Sequence, residues 1–406
     1  MSSSHESVRS GRPAPAPANS PIGPVAASGP DARTRSPSPA GSPSYPPRVR
    51  ATPLPENGRR GRGALTNSSG RFERRAREPL DDGWGGLDAP APLKTEVTSE
   101  TARAVLTRNS SPDLPFDRSI NPYRGCEHGC VYCFARPTHA YMGLSPGLDF
   151  ESRLFAKPNA AALLEKELAR PNYEPAPIAL GTNTDPYQPI EQRYRITRSL
   201  LEVLSAYNHP VTIVTKSARV TRDLDILAAM AERNLVKVYL SITTLDARLA
   251  RTMEPRASTP SRRMEAISML AQAGVPTGVM VAPVIPALTD SEMEKILTGA
   301  AYAGATEAGY ILLRLPLEIR DLFREWLEAN KPDAAAHVIS LIRQMRGGKD
   351  YDAQWGKRMR GDGPYAWQLA RRFELATKKL GLARKSGELD STRFLVPGRG
   401  KQLALL

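Results

Sequence analysis

The chain has 406 residues, enough for one large domain with appendages, and its 40% apolar share supports a sizeable core. The longest apolar run, residues 279–288, is broken by Pro283 and Pro286 and is too short to cross a bilayer. The opening residues also lack the apolar segment of a secretory signal, so a cytoplasmic protein with no membrane partner is expected. The net charge of +14 is uneven: residues 1–80 carry 13 Arg against 5 acidic residues, which leaves the remainder only mildly basic and confines most of any electrostatic attraction for nucleic acid to a tail.

Residues 1–90 hold 15 of the 37 prolines, with much Ser, Ala, Gly and Arg, a composition that cannot bury enough apolar surface to order itself. The segment is expected to be a disordered tail. Residues 91–117 read as a lead-in with a short helix at 100–106. A first strand is expected at 119–121. Apolar runs of strand length follow at 177–182, 211–217, 236–243, 277–284 and 310–315, rich in Val and Ile as in buried parallel strands. Helical spacing lies between them, at 159–170 with Asn159 as N-cap, at 194–207 and at 224–234. A helix from Pro260 to residue 273 has Thr259 as cap and Gly274 as stop. Thr289 and Glu292 have capping-box spacing for the next helix, and 318–329 continues the alternation. Two further helices are expected at 334–346 and 364–380.

Six strands alternating with helices give an α/β fold, expected as a partial (β/α)6 TIM-like barrel with added C-terminal helices; an open doubly wound sheet is the competing topology. The expected layout is a tail at 1–90, the lead-in at 91–117, a core at 118–332, a helical extension at 333–385 and a basic tail at 386–406.

All three cysteines fall within eight residues, as Cys126, Cys130 and Cys133, directly after the first predicted strand. An odd, clustered set is no disulfide framework. Three thiolates at C-x3-C-x2-C spacing can hold three irons of a [4Fe–4S] cluster and leave the fourth open to an outside ligand, whereas electron-transfer clusters use four cysteines. Gly125 and Gly129 suit a tight wrap around such a core. The alternative is a structural Cys3His zinc site, with His128 or His139 as fourth ligand, in a nucleic-acid-binding protein without catalysis.

With Tyr132 just before the third cysteine, the motif resembles the signature of the radical S-adenosylmethionine superfamily, and the wider pattern resembles the branch of spore photoproduct lyase and DNA repair photolyase-like proteins. The resemblance covers about residues 119–315. It implies a partial (β/α)6 barrel and a cluster whose open iron chelates S-adenosylmethionine. It also implies reductive cleavage to a 5′-deoxyadenosyl radical that removes a hydrogen atom from a substrate, and an electron donor of flavodoxin or ferredoxin type. A reaction of lyase or transferase class follows, with nucleic acid as the candidate substrate.

The predicted strand ends offer a cofactor seat beside Tyr132. Thr184 and Asp185 suit ribose hydroxyls, with an Asx-turn as the alternative for Asp185. Lys216 and Ser241 occupy, by resemblance, the positions that serve the methionine carboxylate. Tyr187 and Glu191, in the loop next to the ribose site, are the catalytic candidates. Glu254, Arg256, Arg262 and Arg263 face an anion or pair with one another, and Arg314 ends the sixth strand on the substrate side. One departure stands out: the lyase uses a further cysteine as hydrogen-atom donor in the loop matching residues 181–185, where this chain has Thr182, Asn183 and Thr184 and no spare cysteine. The lyase's substrate is therefore not carried over.

Overall fold

The computed structural model describes residues 53, 56, 59–73, 92–382 and 387–398. Ten strands are defined: β1 (Glu96–Ser99), β2 (Leu106–Arg108), β3 (Arg118–Ile120), β4 (Tyr123–Arg124), β5 (Arg153–Ala156), β6 (Ile178–Leu180), β7 (Val211–Thr215), β8 (Val236–Ser241), β9 (Thr277–Val284) and β10 (Glu307–Leu312). The main sheet has the order β10-β9-β8-β7-β6-β3-β2. Its six strands β3, β6, β7, β8, β9 and β10 are parallel, and β2 pairs antiparallel with β3 at the edge.

This order decides between the two expected topologies. A doubly wound sheet reverses direction part-way. Here each successive parallel strand lies beside the last, so right-handed crossovers put every connecting helix on one face. The helices Ile196–Ala206, Leu224–Ala231, Pro260–Gln272 and Met293–Tyr302 fill the successive crossovers. The result is the partial (β/α)6 barrel, open between β10 and β2 among the described residues. Alternation along β7 shows the pleat, with Val211, Ile213 and Thr215 buried and Thr212 and Val214 half-buried. Helix Pro364–Lys379 packs Phe373 on Tyr310 of β10 with ring centroids 4.7 Å apart. No helix among the described residues is long and apolar enough to cross a membrane.

Several local expectations need correction. The helix expected at 100–106 does not form: residues 100–105 are an irregular link between β1, which finds a parallel partner in β5, and β2, which joins the sheet edge. Asn159 caps nothing with its side chain; its amide exchanges hydrogen bonds with the backbone of Ala102 instead. The capping box at Thr289 does not form. Thr289 Oγ1 accepts from Ile285 N, and Glu292 reaches across to Thr244 and Leu245. The Thr259 cap and the Gly274 stop are present, Thr259 Oγ1 accepting from Arg262 N and Gly274 adopting φ +76°.

The expected terminal tails lie largely outside the described residues, with two exceptions. Residues 62–66 are buried, and they pack on the cysteine loop. Residues 387–398 lie across the N-terminal rim of the strands. There Gly387 and Glu388 accept from Lys237 Nζ and Asn234 Nδ2, and Leu395 N donates to Tyr207 O.

That C-terminal strap covers His209, which is fully buried with Phe394 edge-on at 5.6 Å. His209 Nδ1–H donates to Pro210 O, so Nε2 accepts from Tyr173 O–H at 2.7 Å. Burial pulls its pKa down to about 4, and Arg118 adds to the effect. The unfolded chain then binds a proton that the folded one refuses between pH 6.5 and 4. Stability from this group is complete above pH 6.5 and is lost as pH falls through 4. Moving from pH 7.5 to pH 5 should cost wild type about 1–2 kcal/mol more than His209→Gln, read from urea midpoints of both proteins at the two pH values. Parallel losses in the two proteins would remove His209 as the titrating group.

Candidate functional site

The cysteine loop leaves β3 at the C-terminal rim of the sheet, and its backbone is tied down on all sides. Cys126 N donates to Phe150 O at 3.0 Å, Val131 N to Met253 O at 3.0 Å, and Arg256 N to His128 O at 3.2 Å. Gln188, fully buried in the loop after β6, accepts from Glu127 N at 2.8 Å and donates to Gly125 O at 3.1 Å. Gly125 and Gly129 have φ of +75° and +69°, as a tight wrap requires. A Cβ at Gly129 would stand 2.7 Å from the Glu151 carboxylate.

The strongest restraint is Arg136, which has no exposed surface. Its Nε donates to Cys130 O, Nη1 to Pro146 O and Gly147 O, and Nη2 to Gly129 O and the Glu151 carboxylate. Glu151 also accepts from Gly63 N and Ala64 N, both at 2.9 Å, and Arg62 donates to its carbonyl. The N-terminal segment is thus sewn to the loop. A Cβ on Gly63 would overlap the Gly129 carbonyl at 1.9 Å.

Cys126 and Cys130 are buried and Cys133 is half-buried. Burial pushes all three thiols up. At Cys126 the nearby Asp185, Cys130 and Cys133 push further, so the three sulfurs lie within electrostatic reach of one another. Thiols that resist ionisation singly, gathered in one loop, are a donor set that a cationic iron core stabilises as thiolates. Each histidine of the zinc alternative has one ring nitrogen placed on protein, and the buried Nδ1 of His139 has no partner. His128 Nδ1 lies 3.3 Å from Asp185 Oδ2, while His139 Nε2 donates to Arg153 O at 2.9 Å between Phe150 and Phe155.

Behind the loop the structure brings together Tyr132, Lys216 and Ser241. Lys216 Nζ donates to Ser241 Oγ and Ala282 O, both at 2.9 Å, and lies 5.7 Å from the centre of the Tyr132 ring. Burial pulls Lys216 down to about 8 while Cys130 opposes the fall, so Lys216 and the cysteine feel each other's charge. Tyr132 O–H donates to Glu254, whose other oxygen takes Arg263. Thr243 completes the group by donating to Glu254 at 2.7 Å. Glu254 and Arg263 pair with each other and face no solvent. Arg256 pairs with Glu127, and the exposed Arg262 with Glu265.

The remaining candidates are placed differently. Asp185 is not free for a ribose. Its Oδ1 accepts from Tyr187 N and Thr215 Oγ1, and its Oδ2 from Lys216 N and faces His128, which uses all its lone pairs. Burial alone would raise its pKa, but His128 and these donors hold it below the usual carboxylate range. The Asx-turn alternative is what the chain adopts. Thr184 is buried and donates to Tyr123 O.

Tyr187 is fully buried in the main core with its hydroxyl on Asp223, and burial pushes its pKa far up. Glu191 is fully buried too; it accepts from Tyr123, Arg222 and the backbone N–H of Thr197 and Arg198, and so caps the helix Ile196–Ala206. Both side chains are spent on protein partners, Tyr187 on Asp223 and Glu191 at a helix N-terminus, which supports structural roles for them. Glu191 is a carboxylate sealed inside the fold and Asp185 a nearly buried one, and both are fully paired, as removal from water demands. The sequence reading assigned no role to Arg136, Glu151, Gln188 or Gly63. Their partners are mostly backbone groups, which leave no trace in side-chain spacing.

Residues 120–298 match the family model of the radical SAM superfamily. An uncharacterised protein of Mycobacterium tuberculosis (strain H37Rv) is 41% identical over 279 residues, 66% of this chain and 82% of that one. An uncharacterised protein of Methanocaldococcus jannaschii is 26% identical over 244 residues, 59% of this chain and 86% of that one. Among solved structures, spore photoproduct lyase complexed with dinucleoside spore photoproduct covers 70% of this chain and 80% of its own, at 19% identity and a TM-score of 0.46. With its C-x3-C-x2-C loop on the rim of a parallel α/β sheet, the chain belongs to the radical S-adenosylmethionine superfamily.

Proposed function

We propose that the chain is an enzyme that holds a [4Fe–4S] cluster on Cys126, Cys130 and Cys133 and uses S-adenosylmethionine to remove a hydrogen atom from its substrate. The observation that carries this reading is the convergence of two donor sets on one rim. On the loop after β3, Cys130 and Cys133 feel the positive charge of Lys216, whose ammonium lies 5.7 Å from the ring of Tyr132 between them and donates to Ser241 at the end of β8. When bound, the cluster supplies one electron to the sulfonium, and cleavage of its C–S bond yields methionine and a 5′-deoxyadenosyl radical.

The chain's own residues bind and orient. Lys216 has three N–H donors, of which two are used by Ser241 and Ala282. The third suits the cofactor carboxylate, and Ser241 Oγ, already polarised by Lys216, is a second contact. Tyr132 is fixed by Glu254 and Thr243 and walls the same spot. Arg136, Gln188 and Glu151 keep the loop from relaxing when the cluster loads, and the buried loop limits access of water to the reacting centre. A ribose seat on Asp185 is not part of this reading. An electron donor of flavodoxin or ferredoxin type, a reaction of lyase or transferase class and a cytoplasmic setting fit the chemistry. Nucleic acid is the first substrate class to test with deuterium labels, scored by label recovered in 5′-deoxyadenosine.

Anaerobic reconstitution with iron and sulfide should give a brown protein whose EPR signal shifts on adding S-adenosylmethionine. A colourless protein that binds one zinc tightly would refute the proposal in favour of the zinc alternative. Cys126→Ala should lose most of the iron and all cleavage of S-adenosylmethionine; full cleavage in that variant would remove Cys126 as a ligand.

Lys216→Ala should keep its cluster absorbance yet bind S-adenosylmethionine roughly 10- to 100-fold more weakly, the worth of one charge-assisted hydrogen bond. Unchanged affinity by equilibrium dialysis would take Lys216 out of the cofactor seat.

A further inference from the structure

Most buried or half-buried guanidinium groups on the site's rim are matched to a carboxylate. Arg136 has Glu151, Arg263 has Glu254, Arg256 has Glu127 and Arg358 has Asp113. Arg314, just past the end of β10, is the exception. Its Nη1 meets only Met359 Sδ at 3.6 Å, its Nη2 only Tyr351 Oη at 3.4 Å, and its buried Nε has no partner. The contact with sulfur is ordinary in length but weak, and the contact with Tyr351 is longer than an effective hydrogen bond to oxygen, which clusters at about 2.9 Å. The half-buried guanidinium thus keeps one buried N–H unpaired and has only weak partners on its other two nitrogens.

Its neighbours deepen the mismatch. Arg346, 2% exposed, donates to Leu313 O and Lys357 O but has no carboxylate within ion-pairing distance among the described residues. Burial lowers its pKa, Tyr351 opposes the fall, and the positive charge of Arg314 adds to it. Tyr351 and Asp352 act on Arg346 with the opposite sign, but Asp352 already accepts from Gln354 N at 2.9 Å. The plane of Arg314 is held 4.8 Å from the centre of the Phe134 ring, which is 43% exposed and is the residue directly after Cys133. A planar, oriented and under-bonded fork beside the cysteine loop is the group that binds an oxyanion in two-pronged fashion.

We propose that Arg314, backed by Arg346 and flanked by Phe134 and Tyr351, forms a subsite for an oxyanion of the substrate, a carboxylate or a phosphate, next to the cysteine loop. The subsite deepens the enzymatic reading above and depends on it for the word substrate, but its anion chemistry can be measured without a cluster. An anion in that position replaces the weak sulfur and phenol contacts with strong ones. It also neutralises two cations at once and fixes the rest of the substrate against Phe134, within reach of the reacting centre.

The test titrates inorganic phosphate and, separately, acetate into the full-length protein by calorimetry, before and after reconstitution with iron and sulfide. At least one of the two anions should bind, and the preferred one names the source. Arg314→Gln should weaken that binding roughly tenfold or more, and Arg314→Lys, which keeps the charge but not the fork, should fall between. Arg320→Gln, at an exposed surface pair with Asp321, should leave binding unchanged and so separates the subsite from general attraction to a basic protein. If Arg314→Gln does not fold by circular dichroism, the Lys variant carries the comparison. Failure of both anions to bind wild type, or equal binding by wild type and the Arg314 variants, overturns the proposal. Failure of reconstitution with anion binding intact refutes the cluster reading and leaves the anion subsite standing.

Discussion

Arg136 sits in no regular sheet or long helix, has no exposed surface, and donates to four backbone carbonyls and one carboxylate. A buried guanidinium is tolerable only when its donors are spent, and here they are spent on the loop that carries the cysteines. Gly129 and Cys130 contribute two of the carbonyls, and Pro146 and Gly147, on the far side of that excursion, two more. Glu151 returns the charge and takes the amides of Gly63 and Ala64. One ion pair therefore fixes three chain segments that share no strand pairing. Without it the Gly129 and Cys130 carbonyls, on either side of the second cysteine's amide, would lose the donor that sets their direction.

The same accounting of buried charge explains what the other polar residues on the rim do. Between β6 and the next helix the chain carries Thr184, Asp185, Tyr187, Gln188 and Glu191, a density that reads like a ligand site. In the fold nearly every one of these side chains is turned on protein. Asp185 stitches the ends of β6 and β7 and faces His128, Gln188 holds the cysteine loop at Gly125 and Glu127, and Glu191 caps a helix while neutralising Arg222. They position the loop and the lysine strand without needing to meet a ligand.

What was legible in the sequence follows the range of the interaction. Continuous apolar runs rich in Val and Ile located β7, β8 and β9 closely, because the burial of parallel strands is written into consecutive residues. The strand ending near Arg314 begins three residues earlier than its apolar run, since Glu307 at its start is paired with Lys237 and bonded by Tyr239 from two strands away. The cysteine spacing and the Lys216–Ser241 pairing were readable because each rests on a motif or on equivalent strand ends. The segment at 62–66 was not. Its composition is that of a tail, and it is ordered by two backbone amides on a distant glutamate and by a glycine thin enough to lie on the Gly129 carbonyl. Likewise the helix expected at 100–106 gave way to an irregular link, because the short strands on either side each found an edge to pair with.

The monotonic strand order has a consequence for where selectivity can reside. All six parallel strands end on one rim, so the cysteine loop after β3, Lys216 after β7, Ser241 at the end of β8 and Arg314 after β10 are presented side by side along an arc. On the β6 side of that arc the polar groups are consumed by one another. On the β10 side they are not: Arg314 is under-bonded, Phe134 is open, and the chain between helices Pro332–Gln344 and Pro364–Lys379 lends Tyr351 and Met359 to the same spot. Near β7 and β8, Tyr132, Glu254 and Arg263 are fully paired with one another, while Lys216 keeps one N–H beyond its bonds to Ser241 and Ala282. Residues that meet a substrate need unsatisfied donors until it arrives. The distribution of spent and unspent hydrogen bonds along the rim therefore differs between its two ends, the β6 end closed on itself and the β10 end keeping an under-bonded guanidinium.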